Sequence, residues 1–159
     1  MWQVVSGIKR KVIFTNRYEV KKFLESYKLI QRKVETLYGM LREIEADLTS
    51  LKAIDYSKVR VNSGGSPSCV QEVILDRKNQ IEKEYLEAIE SKYIIQAQVI
   101  EFINLISNKD RDVDLLIDKH IHLLSTSALC KKYNYSEEVI YNKIYLAHKK
   151  LAKISIVKS

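Results

Sequence analysis

Ser127-Ala128-Leu129-Cys130-Lys131-Lys132-Tyr133-Asn134-Tyr135-Ser136-Glu137-Glu138-Val139-Ile140-Tyr141-Asn142-Lys143-Ile144 carries the most informative pattern in this chain. It predicts two helices joined by a tight turn. Asn134 tolerates the left-handed backbone that ends a short helix, and Ser136 is a good cap for the next one. Glu137 and Glu138 follow in its first turn, where they complement the positive end of the helix dipole. Along the second helix Ile140, Ile144, Ala147 and Leu151 recur at steps of four, three and four, so they share one face. At about 100 degrees per residue, the opposite face carries Glu138, Asn142, Tyr145, Lys149 and Lys153. This pattern reads as a helix-turn-helix with its polar and basic groups turned away from the core.

Upstream, Asn16 with Glu19 three residues later is a variant of the capping box and opens a helix expected to reach about Ala53. Val20, Phe23, Tyr27, Ile30, Val34, Leu37, Leu41, Ile44, Leu48 and Leu51 follow at alternating steps of three and four, a coiled-coil seam. From residue 20 to 51 such a helix is about 48 Å long, too long to bury alone, so it needs a partner helix. Residues 54–69 hold the chain's one concentrated Gly/Ser/Pro segment, Asn62-Ser63-Gly64-Gly65-Ser66-Pro67-Ser68, and are expected to be a loop. Its glycines lack the Gly-Lys-Ser/Thr of a phosphate-binding loop and the spaced third glycine of a dinucleotide turn. A second long helix is expected from about Val70 to Ile106, with Ile74, Ile81, Tyr85, Ala88, Ile95, Val99, Phe102 and Ile106 on one face and Lys92 as an interruption. Ile89, Ile94, Ile100 and Ile103 widen that stripe beyond what one partner covers, which suggests a dimer or packing on the C-terminal segment.

The expected fold is therefore all-α: a long antiparallel helical hairpin (a coiled coil) over 16–106, then a helix-turn-helix domain over 107–159, with an N-terminal arm at 1–15. The arm reads equally as a short strand, a frayed segment or a basic tail, because Lys9-Arg10-Lys11 interrupts its apolar residues. That interruption also keeps it far short of the roughly 18 residues of a membrane span.

The 159 residues include 1 Pro and 4 Gly, with 30% charged residues, which suits helices better than sheet or disorder. Net charge is +7, and the basic groups concentrate in residues 1–33 and 131–159 around a mildly acidic middle. Basic ends suit phosphate contact, though they suit a solvated surface equally. Cys69 and Cys130 lie far apart, without a CxxC pair or a preceding signal peptide, and read as reduced thiols of a cytoplasmic protein.

Signals for chemistry are weak. His120 and His122 are alternate residues that a helix points to different sides, with no fourth ligand at zinc spacing near Cys130, so neither metal nor cofactor is expected. His148, beside Lys149-Lys150, reads as a surface or phosphate-facing group, since no nucleophile or orienting carboxylate can be named for it. Glu82, Glu84, Glu87 and Glu90 are spaced as a solvated helix face. No enzyme is expected.

The order of parts, with the loop at Val61-Asn62-Ser63-Gly64-Gly65-Ser66, resembles a family of small phage and prophage proteins with a sigma-factor region-4-like domain, the RinA/ArpU-like late transcription regulators. The resemblance covers about residues 20–152. Its two leucines fall on Leu115 and Leu116, its basic-aromatic pair on Lys119 and His120, and its turn on Asn134-Tyr135-Ser136. Its valine falls on Ile140 and its small alanine on Ala147. Departures are Thr126 for a tryptophan, Asn134 for glycine, Ile144 for histidine and His148 for leucine.

The resemblance implies a transcription regulator in the cytoplasm of a phage host, with double-stranded DNA as partner, RNA polymerase as a further candidate and self-association through the hairpin. Within that frame Asn142 suits a bidentate contact to adenine and Glu138 an acceptor for a cytosine amino group, while Ser136, Lys143, Lys149 and Lys153 suit phosphates. Tyr145 completes the expected DNA-facing set. The alternative is a coiled-coil interaction, packaging or scaffold protein whose terminal helices dock only protein.

Overall fold

In the computed structural model, the residues described are 2–5, 8–11, 14, 16–53, 67–106 and 111–157. Among them five helices make up the architecture, in the order α1 (Arg17–Ala53), α2 (Pro67–Ile103), α3 (Arg111–His120), α4 (Thr126–Tyr133) and α5 (Glu137–Val157). Ahead of them β1 (Trp2–Val5) and β2 (Ile8–Lys11) form an antiparallel ribbon that pairs Trp2 with Lys11 and Val5 with Ile8. Within the arm, these two segments are the described strands. Among the described residues no helix is long and apolar enough to cross a membrane.

The two long helices are as the apolar period requires, with shifts at their ends. Glu19 N–H donates to Asn16 Oδ1 at 3.0 Å, so Asn16 caps α1. Helix α2 starts at Pro67, three residues earlier than expected, because proline at the first helical position loses no internal hydrogen bond. It ends at Ile103. Asn104 N–H still donates to the Ile100 carbonyl at 3.0 Å, and the two amides after it turn back more tightly, Leu105 N–H to the Phe102 carbonyl and Ile106 N–H to that of Ile103, each at 3.1 Å. The Gly-Gly segment and the Cys69 side chain lie outside the described residues.

Contacts divide the chain into two compact units, residues 30–91 and residues 1–29 with 92–159. In this division the start of α1 and the end of α2 group with the three short helices. In the first unit Val34, Leu37, Leu41 and Ile44 of α1 are buried with Ile81 and Ala88 of α2, and Ile30, Leu48, Ile74, Tyr85 and Ile89 pack around them. Tyr38 meets Tyr85 with ring centroids 6.1 Å apart, and Lys78 Nζ lies 3.5 Å from Glu45 Oε1. Seven residues forward on α1 thus correspond to seven residues back on α2.

The second unit buries a wider set. Phe14, Phe23 and Phe102 form a triad with centroids 4.8 to 5.4 Å apart, the Phe23–Phe102 pair edge to face. Each such pair adds roughly 1 kcal/mol beyond area burial. Leu24, absent from the seam read in the sequence, is fully buried beside Val20, whereas Phe23 is half-buried. The reason is local: a helix with several neighbours buries more than a two-helix seam. Of the residues that widen the α2 stripe, Ile103 is fully buried and Ile94 is exposed.

Leu115 of α3, Leu129 of α4 and Ile140 of α5 meet in one buried cluster, with Leu124, Cys130, Tyr133, Tyr135 and Ile144 against it. The last two helices of this trio are closed by local chemistry. Ala128 N–H donates to Ser125 Oγ at 3.2 Å at the start of α4, and Val139 N–H to Ser136 Oγ at 3.4 Å at the start of α5. Asn134 adopts φ 54° and ψ 45°, and its amide and that of Tyr135 both turn back to the Cys130 carbonyl. Ala147 is fully buried. Cys130 is a free thiol.

Left-handed backbone costs a β-carbon-bearing residue about 1 kcal/mol more than glycine, and asparagine recovers part of that through local hydrogen bonding. Asn134→Ala is expected to lower unfolding free energy by about 1 kcal/mol in urea titration, while Asn134→Gly leaves it unchanged or higher.

Candidate functional site

Two buried aspartates of α3 determine how the short helices sit. Asp112 places one carboxylate oxygen 3.0 Å from Lys150 Nζ and the other 3.8 Å from Lys143 Nζ, both lysines on α5. Asp118 accepts a hydrogen bond from the Tyr133 hydroxyl at 2.7 Å and pairs with Lys132, both on α4. Burial by itself would raise the Asp118 pKa; the Lys132 ammonium and the Tyr133 hydroxyl outweigh it and hold the carboxyl below its usual value. Burial and the same carboxylate push the Tyr133 hydroxyl upward. The pairs require charged, hydrogen-bonded aspartates, since a buried carboxylate without partners is strongly unfavourable.

These contacts sort the residues expected to face DNA. Glu138, Asn142, Lys149 and Lys153 are all exposed, and their spacing of four, seven and four puts them on one outward strip of α5. Lys143 lies off that strip, between Asp112 and the ring of Tyr135, whose centroid is 5.3 Å away. Tyr145, seven residues after Glu138, is at the other edge of the strip, with the Arg17 guanidinium 4.6 Å from its ring centroid. Ser136 acts as the helix cap. The exposed apolar residues Val139 and Leu146 border the strip.

The sequence concealed a second feature. His148, expected at the surface, is 3% exposed, and its Nε2 lies 3.2 Å from Nε2 of the buried His120. One ring therefore donates and the other accepts, which requires at least one neutral imidazole. Burial first, then the neighbouring His148 and the ammonium groups of Lys119 and Lys21, push His120 down to about 3. Burial, Arg17 and Lys21 push His148 down to about 4. His148 is four residues after Ile144 and three before Leu151, so helical spacing sets it at the edge of the apolar face; the adjacent Lys149-Lys150 obscured this. His122 is exposed and points elsewhere.

The pair forms the floor of a cleft of about 230 Å³. Helix α1 contributes Arg17, Lys21 and Glu25, α3 contributes Lys119, and α5 contributes Tyr141 and Tyr145. Lys21 and Glu25 are 3.8 Å apart as an i, i+4 pair. A neighbouring recess of about 290 Å³ shares Glu25, Lys119 and His120 and extends to Leu123, a residue also in left-handed backbone, at φ 54°. Among the described residues no three His, Cys, Asp or Glu side chains are grouped as metal ligands would be.

The depressed histidines make acid stability predictable. Unfolded histidine takes a proton near pH 6.5, whereas the folded pair stays neutral to about 4 and 3, so between these values the unfolded chain binds more protons. Stability is complete above pH 6.5 and falls as pH drops below it, by roughly 2 kcal/mol per histidine at pH 5. Urea unfolding followed by circular dichroism at pH 7, 6 and 5 should show this decline, and His148→Leu should make it shallower.

Comparison with protein-family models, with curated proteins and with solved structures found no match.

Proposed function

We propose that this chain is a DNA-binding transcription regulator of the phage RinA/ArpU-like type, in which α4 and α5 form a sigma region-4-like helix-turn-helix and α5 enters the major groove. The carrying observation is the outward strip of Glu138, Asn142, Lys149 and Lys153, exposed while the opposite face of α5 holds the buried Ile140, Ala147 and Leu151. A helix held by one face and bearing an amide, a carboxylate and two lysines on the other has the groups that base edges and phosphates require. Val139 and Leu146 supply apolar contacts for thymine methyl groups. The left-handed turn at Asn134 and the buried Ala147 suit the close helix crossing of such a motif. In this proposal α1 and α2 form an antiparallel coiled-coil hairpin through which copies of the chain associate, RNA polymerase is a second partner, and the protein works in the host cytoplasm without catalysing a reaction.

Exposed apolar side chains favour a second possibility. Leu75 and Leu86 of α2, 47% and 65% exposed, are eleven residues apart and so lie on one side of the helix. A coiled-coil packaging or scaffold subunit would cover them with a protein partner and leave DNA unbound.

Fluorescence anisotropy with duplex DNA across salt separates the two. Affinity is expected to fall steeply with salt, and Lys149→Ala with Lys153→Ala should reduce the log–log slope by about 2, near 0.9 for each phosphate that is no longer neutralised. Absent or salt-insensitive binding sinks the regulator, and sedimentation of Leu75→Lys with Leu86→Lys then tests the scaffold.

A further inference from the structure

We propose that the cleft between the start of α1, the end of α3 and the middle of α5 is a phosphate-binding site, with Arg17, Lys21 and Lys119 as its cationic ligands. Three cationic side chains and a single carboxylate line it, and that carboxylate, Glu25, sits against Lys21. Arg17 lies over the Tyr145 ring, an arrangement that sets the guanidinium plane in place for a bidentate contact to phosphate oxygens. Among the described residues neither Arg17 nor Lys119 forms an ion pair. The His120–His148 floor offers polar ring nitrogens without adding positive charge, and Tyr141 at the wall offers a hydroxyl.

The Nε2 atoms of the two rings, 3.2 Å apart, also have the separation of two ligands on one metal ion. Charge decides against that occupant. The cations that help keep both imidazoles neutral repel a divalent metal and attract an oxyanion. A volume of about 230 Å³ admits a phosphate group carrying further atoms. Phosphate has two sources, a small free phosphomonoester or the backbone of a duplex lying along α5, and Tyr141 and Tyr145 stand between the cleft and the outward strip of that helix.

The test is a titration of the intact protein, followed through the histidine ring resonances by NMR, with inorganic phosphate against sodium chloride at matched ionic strength. Phosphate is expected to shift the His120 and His148 signals and to raise the pH at which they titrate, since a nearby anion favours the protonated form. Lys21→Gln with Lys119→Gln, both solvent-accessible positions, should weaken this at least tenfold. A 15-base-pair duplex is the second arm. If the duplex shifts the rings, with the same loss in the double variant, while free phosphate does not, the phosphate is that of DNA; if free phosphate shifts them in a protein that binds no duplex, the site stands and the DNA-binding proposal fails. No shift from either probe, or a shift from zinc ion in their place, overturns the site.

Discussion

Asp112, a carboxylate only 8% exposed on the first turn of α3, must keep a cation beside it wherever α5 goes, and it has two, Lys143 and Lys150. These lie seven residues apart on one side of α5, so holding both fixes the rotation of that helix about its axis. The Arg17–Tyr145 stack fixes it from the other flank. Ile140, Ala147 and Leu151 then turn inward, and Glu138, Asn142, Lys149 and Lys153 outward. Asp118 performs the same task for α4 through Lys132 and Tyr133, so one ten-residue helix holds both members of the following pair.

The clamp is selective because it is polar. Leu115, Leu129 and Ile140 supply the non-directional part of the trio's stability. An ion pair to a buried carboxylate is directional, since a carboxylate separated from its partly exposed lysine partners is left desolvated. Rotation matters here because the outward strip carries the proposed base contacts, and a turn of one residue would replace Asn142 by Lys143.

The histidine pair shows the opposite use of burial. Two imidazoles that share one hydrogen bond, with Arg17, Lys21 and Lys119 nearby, remain neutral where free histidine would begin to charge. The same cations that suppress protonation make the cleft above the pair attractive to an oxyanion. Burial is the larger cause of the acid sensitivity, and the cations that add to it are the ones on which the proposed phosphate site rests.

The helices were legible in the order of residues. The three-four spacing of Val34, Leu37, Leu41 and Ile44, the caps Asn16 and Ser136, and the turn at Asn134 are local patterns, and local backbone geometry reads them directly. The apolar face of α5 was legible for the same reason. Which polar residues face solvent depends on the folded arrangement. Lys143 and Lys149 are indistinguishable as residue types, yet one sits against Asp112, thirty-one positions earlier, and the other faces solvent. His120 and His148 were likewise unreadable as a pair, because their 28-residue separation carries no period that would bring them together. Secondary structure follows from near neighbours along the chain, whereas charge pairing and burial depend on neighbours that only folding brings within a few ångströms.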